Sequence, residues 1–214
     1  MKTFILFFLG ASIGSFLGLV IDRFPEQSIV APASYCNHCK KQLKAWDLIP
    51  ILSQLFTKFR CRYCKEKIPY WYLGLECLSG LLVLLCHFQI LSLVKTILII
   101  ASLVLAIYDI KHQEYPLMVW GCFTFVILVL SHLNWSFCAF LLIAYLTEKW
   151  KLNIGSGDFL YLASLSLLFS FTEILWIIQI SSLLGLAIFF IFKPKSIPYV
   201  PFLFLASLIV HLYL

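Results

Sequence analysis

The sequence predicts an all-α, polytopic membrane protein with about eight transmembrane helices and a cysteine-rich, zinc-knuckle cytoplasmic loop between the first two. Three observations predict it. First, 62% of the 214 residues are hydrophobic and only 12% are charged, where a soluble domain is about 45–50% apolar and about 25% charged. With a mean hydropathy of +0.98, the chain has too little polar surface to coat a water-soluble body. Second, the apolar residues form continuous runs. Lipid admits only helices or closed barrels, and barrel strands alternate polar and apolar residues. Third, the cations gather in alternate connecting segments, as membrane topology requires. Together these exclude a soluble enzyme, a disordered chain and a fibrous repeat.

A membrane span takes about 20 apolar residues, or roughly 17 at the short end. The first candidate is Thr3–Ile21. It reads as a retained span rather than a cleaved leader, because its apolar run exceeds the usual ~7–15 residues and no clear small-residue cleavage site precedes the charged segment. The further spans are Tyr70–Phe88, Leu93–Tyr108, Leu117–Leu130, Trp135–Thr147, Phe159–Phe171, Ile174–Phe192 and Pro198–Tyr213. The chain thus divides into a first transmembrane helix (1–21), a Cys-rich loop (22–69) and a transmembrane core (70–214).

With the N-terminus outside, Asp22–Pro69, Asp109–Pro116, Glu148–Asp158 and Lys193–Ile197 lie inside and hold fourteen of the sixteen Lys and Arg residues; only Lys2 and Lys95 lie outside. That is the positive-inside pattern, and adding or removing one span would spoil it from that point on. Between Arg23 and Lys67, nine cations face three anions (Glu26, Asp47, Glu66), so this stretch carries the whole net charge of +6. Basic loops on a membrane protein report topology, so the expected surroundings are lipid and no nucleic-acid partner is expected.

Inside that loop stand Cys36-Asn-His-Cys39 and Cys61-Arg-Tyr-Cys64. Two C-x2-C pairs at this separation point to a four-thiolate zinc knuckle, each pair gripping one edge of a tetrahedron. Lys40, Lys41, Arg60, Arg62 and Lys65 favour the thiolates and offset a dianionic centre. The alternative is two disulfides, which a cytoplasmic loop disfavours. Four thiolates leave no open position for water, so the role is structural. His38 reads as a bystander, and Cys77, Cys86, Cys122 and Cys138 as packing residues within spans.

Acids in or beside spans are costly and usually serve a purpose. Here they are Glu76, Asp109, Glu114, Glu148, Asp158 and Glu173. The topology puts Asp109 at the inner end of the third span and Asp158 at the inner start of the sixth, at similar depth. If those helices meet, the carboxylates share a proton and can activate water, as in aspartic proteases. Two helix caps, or charges paired with Lys111 or Lys149, are the plainer alternative. A transporter or scaffold that binds protons or cations is the rival function. Gly155 and Gly157 precede Asp158 and let a substrate chain approach closely. No P-loop, Rossmann fingerprint or nucleophile elbow is present.

At this point the residues resemble a known family. Gly14-Ser15-Phe16-Leu17 with Arg23-Phe24-Pro25, the cysteine pairs flanking Trp46–Ser53, the run through Ile68 and Tyr72 to Glu76, Asp109 with Pro116, Gly155–Asp158 and the late Ile197-Pro198…Pro201-Phe202 together resemble the prepilin peptidases, or type IV leader peptidases, which are GxGD aspartic proteases of prokaryotic membranes. The resemblance spans nearly the whole chain in order. It implies a peptidase core in the cytoplasmic (inner) membrane that cuts the short basic leader from type IV pilin-like precursors on the cytoplasmic side, usually after a glycine and before a hydrophobic helix. Such precursors serve pilus assembly, type II secretion or competence. It implies Asp109 and Asp158 as the catalytic pair. It also implies possible N-methylation of the new N-terminus with S-adenosylmethionine, with Glu76 as a supporting candidate. The chain departs from the family at Gly18, Asp22, Tyr115, Leu160 and Val200, while both aspartates are kept.

Overall fold

The computed structural model describes residues 1–151, 155–193 and 196–213; Lys195, one of the expected inside cations, lies outside them. Each expected span overlaps a helix, and among the described residues the extended pairing is limited to two isolated bridges, Tyr35 with Gln42 and Arg60 with Lys67. The chain forms two compact units, Met1–Thr96 and Ile97–Leu214.

The first unit is built on α1 (Lys2–Arg23), the short α2 (Leu52–Phe56) and α3 (Trp71–His87). Lipid gives helices no hydrophobic reason to associate, so they pair where small residues let backbones touch. Gly10, Gly14 and Gly18 fall one turn apart on α1 and face α3. A Cβ on Gly10 would lie 2.7 Å from the Ser79 carbonyl oxygen, and one on Gly14 would lie 2.7 Å from that of Leu75. On the α3 side, Gly80 receives the ring of Phe7 in the same way, at 2.7 Å. The buried Arg23 ends α1, where a cation complements the helix dipole, and donates to the Pro32 carbonyl at 2.7 Å and to those of Ser28 and Ala33 at 3.3 Å. The loop is thereby tied to the helix end.

The second unit contains most of α4 (Leu93–His112), with α5 (Leu117–Leu130), α6 (Trp135–Lys149), α7 (Ser156–Ser166), α8 (Phe171–Phe192) and α9 (Val200–Tyr213). Leu98, Ala101, Val104, Leu105 and Tyr108 put one face of α4 in the core. α7 is buried almost all round, pairs chiefly with α6, and is pinned by Trp120 of α5, whose Nε1 donates to Ser164 Oγ at 2.7 Å. Asn134 caps α6 by accepting from the Phe137 N–H at 2.9 Å. Ser170 and Glu173 form a capping box that starts α8.

The sixth span differs from expectation. It is expected at Phe159–Phe171, but the helix runs Ser156–Ser166 and α8 already begins at Phe171. The turn between them is Leu167-Leu168-Phe169, so hydropathy sees no break, and the capping box alone marks the new start. α1, α4 and α8 are long and apolar enough to cross a membrane, while α3, α5 and α9 are shorter apolar helices. α8 turns Leu183, Leu186, Phe190 and Ile191 outward, the composition that lipid covers.

Candidate active site and metal knuckle

In the first unit, the two C-x2-C segments fold as copies of one turn. The Cys36 N–H donates to the Lys41 carbonyl at 3.0 Å and the Lys40 N–H to the Cys36 carbonyl at 2.8 Å. The Cys61 N–H donates to the Glu66 carbonyl at 2.8 Å and the Lys65 N–H to the Cys61 carbonyl at 3.0 Å. Lys40 (φ 57°) and Lys65 (φ 61°) occupy matching left-handed positions. The bridges Tyr35–Gln42 and Arg60–Lys67 close the two turns.

All four Sγ atoms, of Cys36, Cys39, Cys61 and Cys64, lie within 4.8 Å of one another as separate thiols. The Cys36 and Cys64 sulfurs are 3.8 Å apart. A tetrahedral zinc with Zn–S bonds of ~2.3 Å needs sulfurs about 3.8 Å apart, so the cluster fits that ion. Burial raises the Cys61 thiol, but hydrogen bonds from the backbone of Cys64 and Tyr63 and from neighbouring thiols outweigh it and bring it down to about 7. Cys64, although the Glu66 backbone lowers it, is pushed up to about 12 by desolvation and by the three other thiols. Thiols this close resist ionising together until a cation joins them. Arg62, expected near the thiolates, instead pairs with Asp47 at 2.9 Å and so ties the second knuckle to the 3₁₀ turn Ala45–Leu48.

Glu76 is buried on α3. Its Oε2 accepts from the Ile51 N–H at 2.7 Å and from Gln54 Nε2 at 2.8 Å, and Ser15 of α1 also donates to the carboxylate. It therefore clamps α1, α2 and α3 together. A cavity of about 270 Å³ borders this clamp at Ser15 and runs along Ser12, Leu19, Arg23 and Pro50. Sequence reading singles out Glu76 but not the donors, because Ile51 contributes only a backbone N–H.

In the second unit, Asp109 sits in the last turn of α4 and Asp158 in the first turn of α7. Each is half-buried, and they lie within electrostatic reach of each other. Asp109 Oδ2 accepts from the Val200 N–H at 3.1 Å, so the carboxylate also caps α9. At Asp109 the capping alternative is thus realised, at the start of α9. Asp158 folds back over the start of its own helix, and a Cβ on Gly155 would come within 3.1 Å of its Oδ2. Asp158 lies in the first turn of α7, and Asp109, though at the C-terminal end of its own helix, meets the N-terminus of α9; the partial positive charge of a helix N-terminus favours an anion.

Gly157 departs from its expected purpose. The space its missing side chain leaves is filled by Tyr115: a Cβ there would lie 2.6 Å from Tyr115 Cγ and 2.7 Å from Cδ2. The glycine thus admits this chain's own aromatic ring. The Tyr115 hydroxyl is shielded from solvent and has no hydrogen-bond partner among the described residues. Tyr161 acts on it electrostatically, followed by Asp158 and Asp109. Sequence reading notes Tyr115 only as a departure from the family pattern, because nothing local ties it to a glycine on another helix. Ser156 donates to Glu148 at 3.0 Å, a surface contact without a base for nucleophilic chemistry.

The fold and these two regions define a helical, multi-pass membrane protein with a four-cysteine cluster that fits a metal and two acids, Asp109 and Asp158, within one helical unit. The sequence profile of the Bacterial Peptidase A24 N-terminal domain matches residues 8–90. A prepilin leader peptidase/N-methyltransferase of Legionella pneumophila is 30% identical over 214 residues, covering 85% of this chain and 72% of the relative. Relatives of the same description from Myxococcus xanthus (41% identical) and Bacillus subtilis (34%) each match 52% of this chain, and the matches cover only 35% and 47% of those proteins. No solved structure matches the chain. The chain belongs to the prepilin leader peptidase/N-methyltransferase family. The comparisons give no support to a transporter or scaffold.

Proposed function

We propose that this chain is an aspartic endopeptidase of the prokaryotic cytoplasmic membrane that removes the basic leader of type IV pilin-like precursors on the cytoplasmic side. The observation that supports the reading is that Asp109 and Asp158, remote in sequence, lie in one helical unit within electrostatic reach of each other. Two facing carboxylates resist ionising together, so one stays charged and the other holds a proton. The charged member takes a proton from water as the water oxygen adds to the scissile carbonyl carbon. The protonated member donates to the carbonyl oxygen. Collapse breaks the C–N bond, the amine leaves with a proton, and one water is consumed.

Zinc held by Cys36, Cys39, Cys61 and Cys64 supplies a crosslink that organises the loop and takes no part in these steps. S-adenosylmethionine, when bound, supplies a methyl group for the new N-terminal amine. Glu76 supports that step by fixing α1, α2 and α3 beside the cavity at Ser15. The test is co-expression with a pilin-like precursor, read as a gel shift and as the mass of the processed N-terminus. Cleavage by the wild type and none by Asp109→Asn or Asp158→Asn is the expected result. Normal cleavage by either variant overturns the reading.

A further inference from the structure

We propose that residues 45–57 of the cysteine-rich loop re-enter the membrane leaflet on the loop's own side, with Leu52, Leu55 and Phe56 against lipid acyl chains and Lys44 and Lys58 at anionic headgroups. The placement is independent of the peptidase reading, and depth is what carries it. α3 has 17 residues, so at ~1.5 Å per residue it is about 26 Å long, less than the ~30 Å of a bilayer's hydrocarbon. It has no length to spare outside the lipid. Glu76 stands five positions after Trp71, the first residue of α3, and so about 8 Å along the helix from its loop-side end. There its carboxylate accepts from the Ile51 N–H at 2.7 Å and from Gln54 Nε2 at 2.8 Å. α1 gives the same level. Ser15 stands eight positions before Arg23, about 12 Å from that end of the helix, and it lines one cavity with Leu48 and Pro50. These loop residues therefore lie beside the spanning helices, not beyond their ends.

The segment is shaped to enter and return. The 3₁₀ turn Ala45–Leu48 leads in. Ile51 (φ 63°, ψ −57°) then reverses the chain in a γ-turn, with the Leu52 N–H donating to the Pro50 carbonyl at 2.6 Å. α2 leads out. Irregular backbone at membrane depth is tolerated only where protein satisfies it, and the Ile51 N–H is satisfied by Glu76. α2 buries Gln54 toward that carboxylate and turns Leu52, Leu55 and Phe56 outward; Phe56 is 83% exposed. A contiguous apolar face of this kind marks an interaction surface. Asp47 is the one charged residue among positions 45–57, and Arg62 neutralises it at 2.9 Å. The exposed Lys44 and Lys58 bracket the stretch. Anionic headgroups above acyl chains complement that order of charge and apolar surface, at the ~5–10 Å depth that interfacial segments reach. The same lysines repel a basic leader peptide, so the occupant is lipid rather than substrate.

The test uses the full-length protein in vesicles of phosphatidylethanolamine and phosphatidylglycerol, with 4-trifluoromethylphenylalanine in place of Phe56. The label keeps the ring and reports by ¹⁹F resonance. A spin label carried on the acyl chain near its carbonyl should broaden the signal several-fold more than a gadolinium chelate present on both sides of the membrane. Stronger broadening by the chelate puts the face in water and overturns the proposal. A signal indifferent to both probes shows protein covering the face and overturns it as well. Cleavage plays no part in this readout, so loss of the peptidase reading would leave the placement standing.

Discussion

The cysteine cluster of the first unit and the carboxylate pair of the second are assembled by opposite means. Each cysteine pair is set by a turn of a few residues, and the same turn is used twice, down to the left-handed Lys40 and Lys65. Only the closing of one loop brings the two copies together, and metal binding would supply the free energy for that closure. The carboxylates have no such local device. Asp109 is carried by α4, Asp158 by α7, and the group that receives Asp109 is the backbone at the start of α9. The comparison teaches that the metal site is a property of a segment, whereas the acid pair is a property of a bundle. Damage to the first should act through stability, and damage to the second through chemistry.

The largest test of that contrast is removal of one acid. Asp109→Asn and Asp158→Asn should each lower precursor cleavage by about 10³-fold or more, with the amount of protein in the membrane unchanged on an immunoblot. Loss of the protein along with the activity would make the acids structural, like the cysteines. Next comes the metal. Cys36→Ser, Cys61→Ser or exhaustive chelation should abolish stoichiometric zinc, measured by elemental analysis, and lower the melting temperature markedly. Residual cleavage should track the fraction still folded. Full folding and activity without metal would make the loop dispensable.

Two glycines sharpen the comparison further. Gly14→Ala drives a Cβ against the Leu75 carbonyl at 2.7 Å, and backbone inside a helix cannot yield. It should cost about 1–3 kcal/mol of stability, read by thermal unfolding in micelles. Gly157→Ala makes a clash of similar depth, at 2.6 Å, against the root of the buried Tyr115 side chain. Its stability cost should be similar to that of Gly14→Ala and its loss of cleavage, per folded protein, larger. Equal residual cleavage per folded protein in the two variants would mean that the Gly157 contact only packs. The smallest effect is expected for Glu76→Gln, which keeps acceptor capacity but loses charge in its bonds from Ile51 and Gln54. About 1 kcal/mol is expected, with cleavage retained and N-terminal methylation reduced by mass spectrometry. A Glu76→Gln protein that methylates normally would remove that residue from the second step.

Much of this was legible residue by residue. The apolar run Leu117–Leu130 is a helix over those same residues, because continuous apolarity leaves a backbone in lipid no other way to satisfy its hydrogen bonds. The C-x2-C spacing announced the cluster because a two-residue spacer is what a turn needs to aim two sulfurs at one point. The break between α7 and α8 was not visible, since Leu167-Leu168-Phe169 is as apolar as the helices beside it. Nor was the Gly10–Gly14–Gly18 stripe recognised as a contact face, although its spacing was open to view; α3 gives it meaning through Ser79 and Gly80.

By itself, the sequence determined the helical class, the order of the helices and the four cysteines that cluster, because hydropathy, hydrogen-bond satisfaction and turn geometry act over a few residues. Tertiary structure alone decided that Asp109 would cap α9 within electrostatic reach of Asp158, that Glu76 would bind the Ile51 and Gln54 donors, and that the gap at Gly157 would be filled by Tyr115. Those pairings depend on how helices pack side by side, and the distance between two residues on different helices is set by every side chain in between.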